Sequence, residues 1–236
     1  MTEVLPPAHQ KSLQIKVETG PHPVNWESLW IFRGLDYEGT SEWGCPIVNG
    51  VPGYLIHGDI SFMWNLAASI PHGGTYVELG SWMGLSSVLI ANSLFARLNL
   101  SARIFSIDTW KGSVEHQNME VVREGALFKV FNENVQKSGL SHYIHPIISD
   151  SAEAAHQFSD DSVDVVFVDA DHSYEGCLRD LRAWYPKVKT TGRFLGHDAV
   201  PNGGVIEAVR QFASEHKLSL TLFDPPVAHH PWELSR

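Results

Sequence analysis

Within YVELGSWMGLSS, residues 76–87, the pattern Glu78-x-Gly80-x-x-x-Gly84-x-Ser86 sets an acid and two glycines where an apolar strand gives way to a helix. Glycine lets backbone approach a ligand that a side chain would obstruct. Gly80 is expected to make the tight turn and Gly84 to let the helix pack down on the sheet. The helix N-terminus then offers unpaired N–H groups. A plain tight turn would account for the glycines alone, but two further strand ends carry polar groups. Asp108 lies 30 residues after Glu78, placed to accept hydrogen bonds from ribose hydroxyls; a helix cap would need the same residue type. Ser149, Asp150 and Ser151 follow the next strand, able to flank an adenine edge or to form a capping cluster. Together the three ends outline a nucleoside site. The G-x-G-x-x-G spacing that cradles a pyrophosphate is missing, and Glu78 would repel one. An acid there suits a cationic, phosphate-free nucleoside, and S-adenosylmethionine has an ammonium, a sulfonium and no phosphate.

These residues need an alternating scaffold, and the sequence supplies it. HGDISFMWNLAASIP reads as a helix with Asp59 as its N-cap and Pro71 beyond its end. GTYVELG, ARIFSIDTW, YIHPIIS, SVDVVFVDA, GRFLGHDAV and LSLTLFD read as strands. Helices fall between them, one closed by Gly139 and one capped by Ser151. Continuous Val/Ile/Phe runs indicate strands buried on both faces. The alternation predicts an α/β fold with a doubly wound, mostly parallel sheet and helices on both faces. Residues 1–57 hold Pro-Pro, GPHPV and several Trp. They are expected to form an N-terminal arm and substrate lid, with a short helix near 25–33, ahead of a domain at 58–236.

The bulk composition narrows the partners. The 236 residues are 43% hydrophobic and 19% charged, with formal net charge −10 and pI near 5.7. An acidic chain with no Lys/Arg cluster is not built to neutralise phosphates, so no nucleic-acid partner is expected. No apolar run approaches the roughly 20 residues of a membrane span. The N-terminus lacks the basic and apolar regions of a secretory signal. Two cysteines, Cys45 and Cys177, make neither a disulfide framework nor a metal spacing. A cytoplasmic protein is expected, with a homodimer as the default assembly.

Over roughly residues 58–224 the chain resembles the class I S-adenosylmethionine-dependent methyltransferases, and within them the metal-dependent O-methyltransferases that include catechol and antibiotic-sugar enzymes. VELGSWMGLSS is similar to the first motif and FSIDTW to the second; FVDADHSYEGCLRDLRAWYPKVKTTGRFLGHD is the most specific piece. The resemblance implies a Rossmann-like methyltransferase fold. It implies a cofactor pocket of Glu78, Gly80, Ser81 and Ser86, with Asp108 on the ribose and Asp150 and Ser151 by the adenine. It also places Asp169, His197 and Asp198 as ligands of a divalent metal. Asp169 ends the fourth strand of the alternation and His197-Asp198 the neighbouring fifth. Such a half-protein shell suits Mg²⁺ or Mn²⁺. His stands where relatives have an oxygen donor, which favours Mn²⁺, Fe²⁺, Zn²⁺ or Ni²⁺. His197 could equally sit behind the ligands, or the site could bind no metal. Asp171 and His172 are both candidate bases, His172 preferred because an imidazole titrates near neutrality. Glu175 and Asp180 are expected on the solvated face of the next helix. Trp26, Trp30, Trp43, Tyr54 and Trp64 could line an apolar acceptor wall, to which the terminal DPPVAHHPWELSR could add. The implied reaction is methylation of a hydroxyl on a small molecule or natural product, aromatic or sugar. The alternatives are a metal-independent N- or carboxyl-methyltransferase, an NAD(P)-dependent oxidoreductase, or a non-catalytic nucleoside-binding protein.

Overall fold

The computed structural model describes residues 15–19, 37–41, 46–48, 50–55, 57–224 and 230–236. Trp26, Trp30, Trp43 and the helix expected near 25–33 lie outside the described residues. Strand β1 (Ile15–Thr19) comes first, followed by a small antiparallel sheet of β2 (Tyr37–Thr40), β3 (Pro46–Val48) and β4 (Val51–Pro52). The alternating part then runs α1 (His57–Leu66), β5 (Gly74–Leu79), α2 (Leu85–Asn92), β6 (Ala102–Asp108), α3 (Glu120–Arg123) and α4 (Leu127–Lys137). It continues with β7 (Ile144–Ile148), α5 (Ser151–Ala154), β8 (Val163–Val168), α6 (Tyr174–Trp184), β9 (Val188–Gly196), α7 (Gly204–His216), β10 (Ser219–Asp224) and β11 (Trp232–Ser235).

The main sheet has the order β1-β10-β11-β9-β8-β5-β6-β7. All neighbours are parallel except β11, which pairs antiparallel with both β10 and β9. The chain builds outward from β5 through β6 to β7, then crosses to β8 on the other side of β5. Such a reversal opens a crevice at the carboxyl ends of the strands. The doubly wound, mostly parallel sheet read from the sequence is therefore present. Two edges of it were not legible. LSLTLFD is not the last strand, because Trp232–Ser235 inserts behind it. Ile15–Thr19, from the expected arm, lies alongside β10.

Every residue of β5 and β8 is buried. Neighbouring residues point to opposite faces, as a pleat requires. Tyr76, Val165 and Phe167 join the core under α1, α2 and α4, whereas Val77, Val166 and Val168 join the one under α6 and α7. On the second side α6 and α7 close the core with periodic apolar stripes, whereas α2 on the first side is buried almost all round. In α6 the stripe is Cys177, Leu178, Leu181 and Trp184; in α7 it is Val205, Ile206, Val209 and Phe212. Trp64 is fully buried in the first core, so it is packing and not acceptor wall. Its helix also starts earlier than expected: α1 begins at His57, and Asp59 sits inside its first turn instead of capping it.

Candidate functional site

Four backbone hydrogen bonds continue past the strands and tie their carboxyl ends side by side. Ser149 N donates to Asp108 O (3.1 Å), Gly80 N to Ile107 O (2.8 Å), Asp169 N to Leu79 O (2.9 Å) and His197 N to Val168 O (3.1 Å). The candidate residues thus form one row, on the floor of a cavity of about 780 Å³. Gly80, Ser81, Ser86, Asp108, Asp150 and Ser151 line it on one side, and Asp169, Asp171, His172, His197 and Asp198 on the other. A cavity of this size is in the range that holds a nucleoside-sized ligand.

Gly80 has a φ of +84°, and a Cβ there would lie 2.0 Å from the carbonyl oxygen of Asp169. Both the left-handed backbone and the tight approach of the two strand-end turns demand glycine. Gly84 is also left-handed, but a Cβ on it would meet Phe131 of α4 at 3.0 Å. It therefore fits the first helix against a neighbouring helix, not against the sheet. Glu78 does not line the cavity. It lies one layer beneath, fully buried, where Ser87 Oγ donates to its Oε2 and in turn meets Ser106 Oγ at 2.7 Å. Burial raises its pKa, while the hydroxyls of Ser86, Ser87 and Ser81 oppose the shift. Glu78 Oε1 and Ser81 Oγ are buried without a hydrogen-bond partner. Buried polar atoms left in that state are uncommon. The unmet Glu78 oxygen lies beneath the glycine turn, on the side of the cavity that Ser81 lines.

Asp108 accepts from Trp82 N (2.9 Å, Oδ2) and Trp110 N (2.7 Å, Oδ1). Burial raises its pKa against these backbone bonds. Each carboxylate oxygen retains capacity for a ribose hydroxyl. The two donors, Trp82 and Trp110, both hold positive φ, a conformation that costs a bulky residue and is kept only where its surroundings impose it. At the next strand end the helix cap is Asp150, which accepts from Ala152 N and Glu153 N and pairs with Arg179 at 3.0 Å. Ser151, expected as the cap, instead donates its hydroxyl to Asp180 Oδ1 at 2.6 Å. Asp180 is correspondingly fully buried, not solvated. Burial lifts its pKa to about 6, with the Ser151 hydrogen bond and Arg179 opposing.

On the other side the acids and histidines face each other. Ligating atoms of Asp169, His172 and Asp198 lie within 4.8 Å of one another. His172 Nε2 is 3.2 Å from Asp198 Oδ2 and 3.9 Å from Asp169 Oδ1. His197 Nδ1 is 3.4 Å and 3.9 Å from the same two oxygens. The two imidazoles therefore share one carboxylate pair. Asp169 has its pKa raised well above the ordinary range by burial, with His197 opposing and Asp198 and Glu78 adding to the rise. For His197, burial pushes downward, but hydrogen bonds to Asp198 and Asp59 and the charge of Asp169 outweigh it and raise the pKa. Asp198 takes a left-handed φ of +59°. This donor set of two carboxylates and one or two imidazole nitrogens fits a divalent ion. Asp171 is placed differently: its Oδ1 accepts from Ser173 N at 2.8 Å. A Cβ on Gly176 would fall 2.2 Å from its carboxylate, so the side chain folds over the first turn of α6.

Sequence reasoning missed several residues of the cavity. Asp59, from α1, bonds His197 Nε2 at 2.9 Å. The turn after β6 brings Glu115 within 3.6 Å of His172 Nδ1 and His116 into an aromatic group. His116 lies 4.4 Å from the Trp82 ring and stacks on Tyr54 at 5.1 Å. Only Tyr54 of that group carried a signal, as part of the aromatic-rich segment before the core.

Residues 77–199 match a family described as a methyltransferase domain. An uncharacterized protein of Sinorhizobium fredii, y4gI, is 30% identical over 145 residues, 61% of this chain and 15% of its own length; the chain thus spans only a small part of that relative. The O-methyltransferase NovP has a similar structure, with TM-score 0.62 and 17% identity over 78% of this chain and 82% of that one. Cofactor-bound Rv0187 from MTB gives 0.56 and 13% over 79% and 83%. Precorrin-6y C5,15-methyltransferase from Geobacter metallireducens gives 0.55 and 11% over 76% and 88%. At these identities the likeness is one of fold.

Proposed function

Since the chain belongs to the methyltransferase domain family, we propose that it is a divalent-metal-assisted, S-adenosylmethionine-dependent O-methyltransferase acting on a hydroxyl of a small molecule. The observation that carries this reading is that an acid–histidine cluster and the strand ends of Gly80, Asp108 and Asp150 line two sides of one cavity. Bound S-adenosylmethionine supplies a methyl already activated on a sulfonium. A bound divalent ion supplies a positive charge that eases loss of a hydroxyl proton.

The chain's own residues do the rest. Ser81, with Glu78 beneath it, receives the ammonium; Asp108 holds the ribose; Asp150 and Ser151 edge the adenine. Asp169, His197 and Asp198 hold the ion. His197 is buried, whereas the His172 side chain is 45% exposed, and that contrast supports giving them different roles. The buried imidazole is a ligand, and the exposed one takes the hydroxyl proton at Nε2, with Glu115 steadying Nδ1. Asp171 keeps the loop closed onto α6. Positioning of the acceptor against an activated methyl accounts for much of the rate, up to roughly 7–11 kcal/mol. Tyr54, Trp82 and His116 support a planar, aromatic acceptor, with Gly53, Tyr54 and Leu55 bringing the segment just before α1 to the cavity wall. No described helix is long and apolar enough to cross a membrane.

The test is calorimetric titration with S-adenosylmethionine and with NAD, followed by transfer of labelled methyl to a panel of phenols, catechols and glycosides with and without EDTA. S-adenosylmethionine alone should bind. Transfer to a hydroxyl should stop with EDTA and return with Mn²⁺ or Mg²⁺. Transfer that survives EDTA, or that goes to an amine or carboxylate, overturns the metal-assisted O-methylation; NAD binding in place of S-adenosylmethionine overturns the whole assignment.

A further inference from the structure

Asp59 and His197 are 138 residues apart, 1% and 7% exposed, and joined at 2.9 Å. Asp59 comes from the first turn of α1, outside the set of strand ends that forms the rest of the site. The His197 backbone is fixed on both sides. Its N–H donates to Val168 O at 3.1 Å and its carbonyl accepts from Trp232 Nε1 at 2.9 Å. With the backbone held, the Asp59 contact at Nε2 acts together with Asp198 to set how the ring faces, with Nδ1 toward Asp198 and Asp169.

We propose that Asp59 is a positioning residue that makes His197 an Nδ1 ligand and so tunes the centre toward borderline transition ions such as Zn²⁺ and Mn²⁺ over Mg²⁺. This rests on the metal-assisted reading above. Ligating histidines commonly present their second nitrogen to a carboxylate, which sets the tautomer and strengthens the donor. An imidazole in the set contributes much to Zn²⁺ and little to Mg²⁺, which prefers oxygen. Without Asp59 the two carboxylates remain, so the oxygen-seeking ion should lose little.

The experiment is calorimetric titration of the full chain with Zn²⁺, Mn²⁺ and Mg²⁺ for wild type, Asp59→Ala, Asp59→Asn, His197→Asn and the double variant Asp59→Ala/His197→Asn, each also followed by thermal unfolding. Asp59→Ala should weaken Zn²⁺ and Mn²⁺ by about 10- to 100-fold and Mg²⁺ by less than about threefold. Asp59→Asn, which keeps an acceptor oxygen, should recover part of the loss. The double variant should lose no more than His197→Asn alone, as two residues acting through one contact do. Pulsed electron paramagnetic resonance on the Mn²⁺-loaded chain should show a histidine nitrogen coupling that survives His172→Ala and disappears in Asp59→Ala. If wild type binds none of the three ions, the metal-assisted reading falls and takes this inference with it. If wild type binds them and Asp59→Ala matches it, or weakens all three equally, the inference alone falls.

Discussion

The two sides of the cavity floor differ in how their polar groups are spent. On the side of β5, β6 and β7, most are already committed to the fold. Asp108 holds two backbone N–H groups, Asp150 caps α5 and pairs with Arg179, and Ser151 donates to Asp180. On the side of β8 and β9, Asp169, His172, His197 and Asp198 chiefly face one another. A surface that recognises one ligand by shape gains from being rigid beforehand, because little ordering remains to be done on binding. A cluster of acids and imidazoles gathered at 3–4 Å is different: its members compete for the same protons, which is what the proposed ion would relieve. Gly80 is the joint between them, lying just past β5 and pressed against the carbonyl of Asp169.

The largest expected effect breaks both sides together. Gly80→Ala forces a Cβ into backbone at a left-handed φ. It should destabilise the fold by on the order of 3–5 kcal/mol, read by chemical denaturation. The next two substitutions should separate the sides. Asp108→Ala should weaken S-adenosylmethionine by about 100-fold, a loss of roughly 2–3 kcal/mol, and leave Mn²⁺ affinity within about threefold. Asp169→Asn should do the reverse, and calorimetry with each ligand checks both. Should the two variants lose both ligands alike, the sides are one cooperative unit.

A smaller effect concerns pH. The carboxyl of Asp180 binds its proton more tightly in the fold than in the open chain, because its pKa is raised to about 6. The sign follows: its contribution to stability is full below about pH 4 and is lost as pH rises through about 6. Asp180→Asn should therefore leave stability near pH 4 unchanged and raise it at pH 7–8 by on the order of 1–3 kcal/mol. Denaturation at the two pH values decides it. The smallest effect is at the rim, where Tyr54→Ala removes a half-exposed ring that stacks on His116. It should raise the KM for an aromatic acceptor by a few-fold without altering ion affinity.

Much of this arrangement was readable beforehand, for a physical reason. Strands buried on both faces must be runs such as VDVVFV, and a parallel sheet must place their carboxyl ends along one rim. Residues at or just past the ends of such runs, Gly80, Asp108, Asp150, Asp169 and Asp198, could be placed on that rim from the sequence, their roles coming in part from the family resemblance. Residues that reach the rim from elsewhere could not. Asp59 looked like a helix cap because Asp favours caps, and nothing local reveals a partner 138 residues away. Asp180 looked solvated because isolated charges usually are; its burial depends on Ser151 arriving from another helix. WELS alternates apolar and polar residues as a strand does, but four residues after a Pro- and His-rich stretch are too few to stand out, and its place is set by two neighbours already in the sheet.

That last strand bears on how the floor is held. β11 lies between β9 and β10 in the sheet but follows both in the chain. Trp232 of β11 donates to the carbonyl of His197. The half of the floor nearest β9 thus takes one of its ties from a segment beyond β10, whereas the ties along β5, β6 and β7 come from those strand ends themselves.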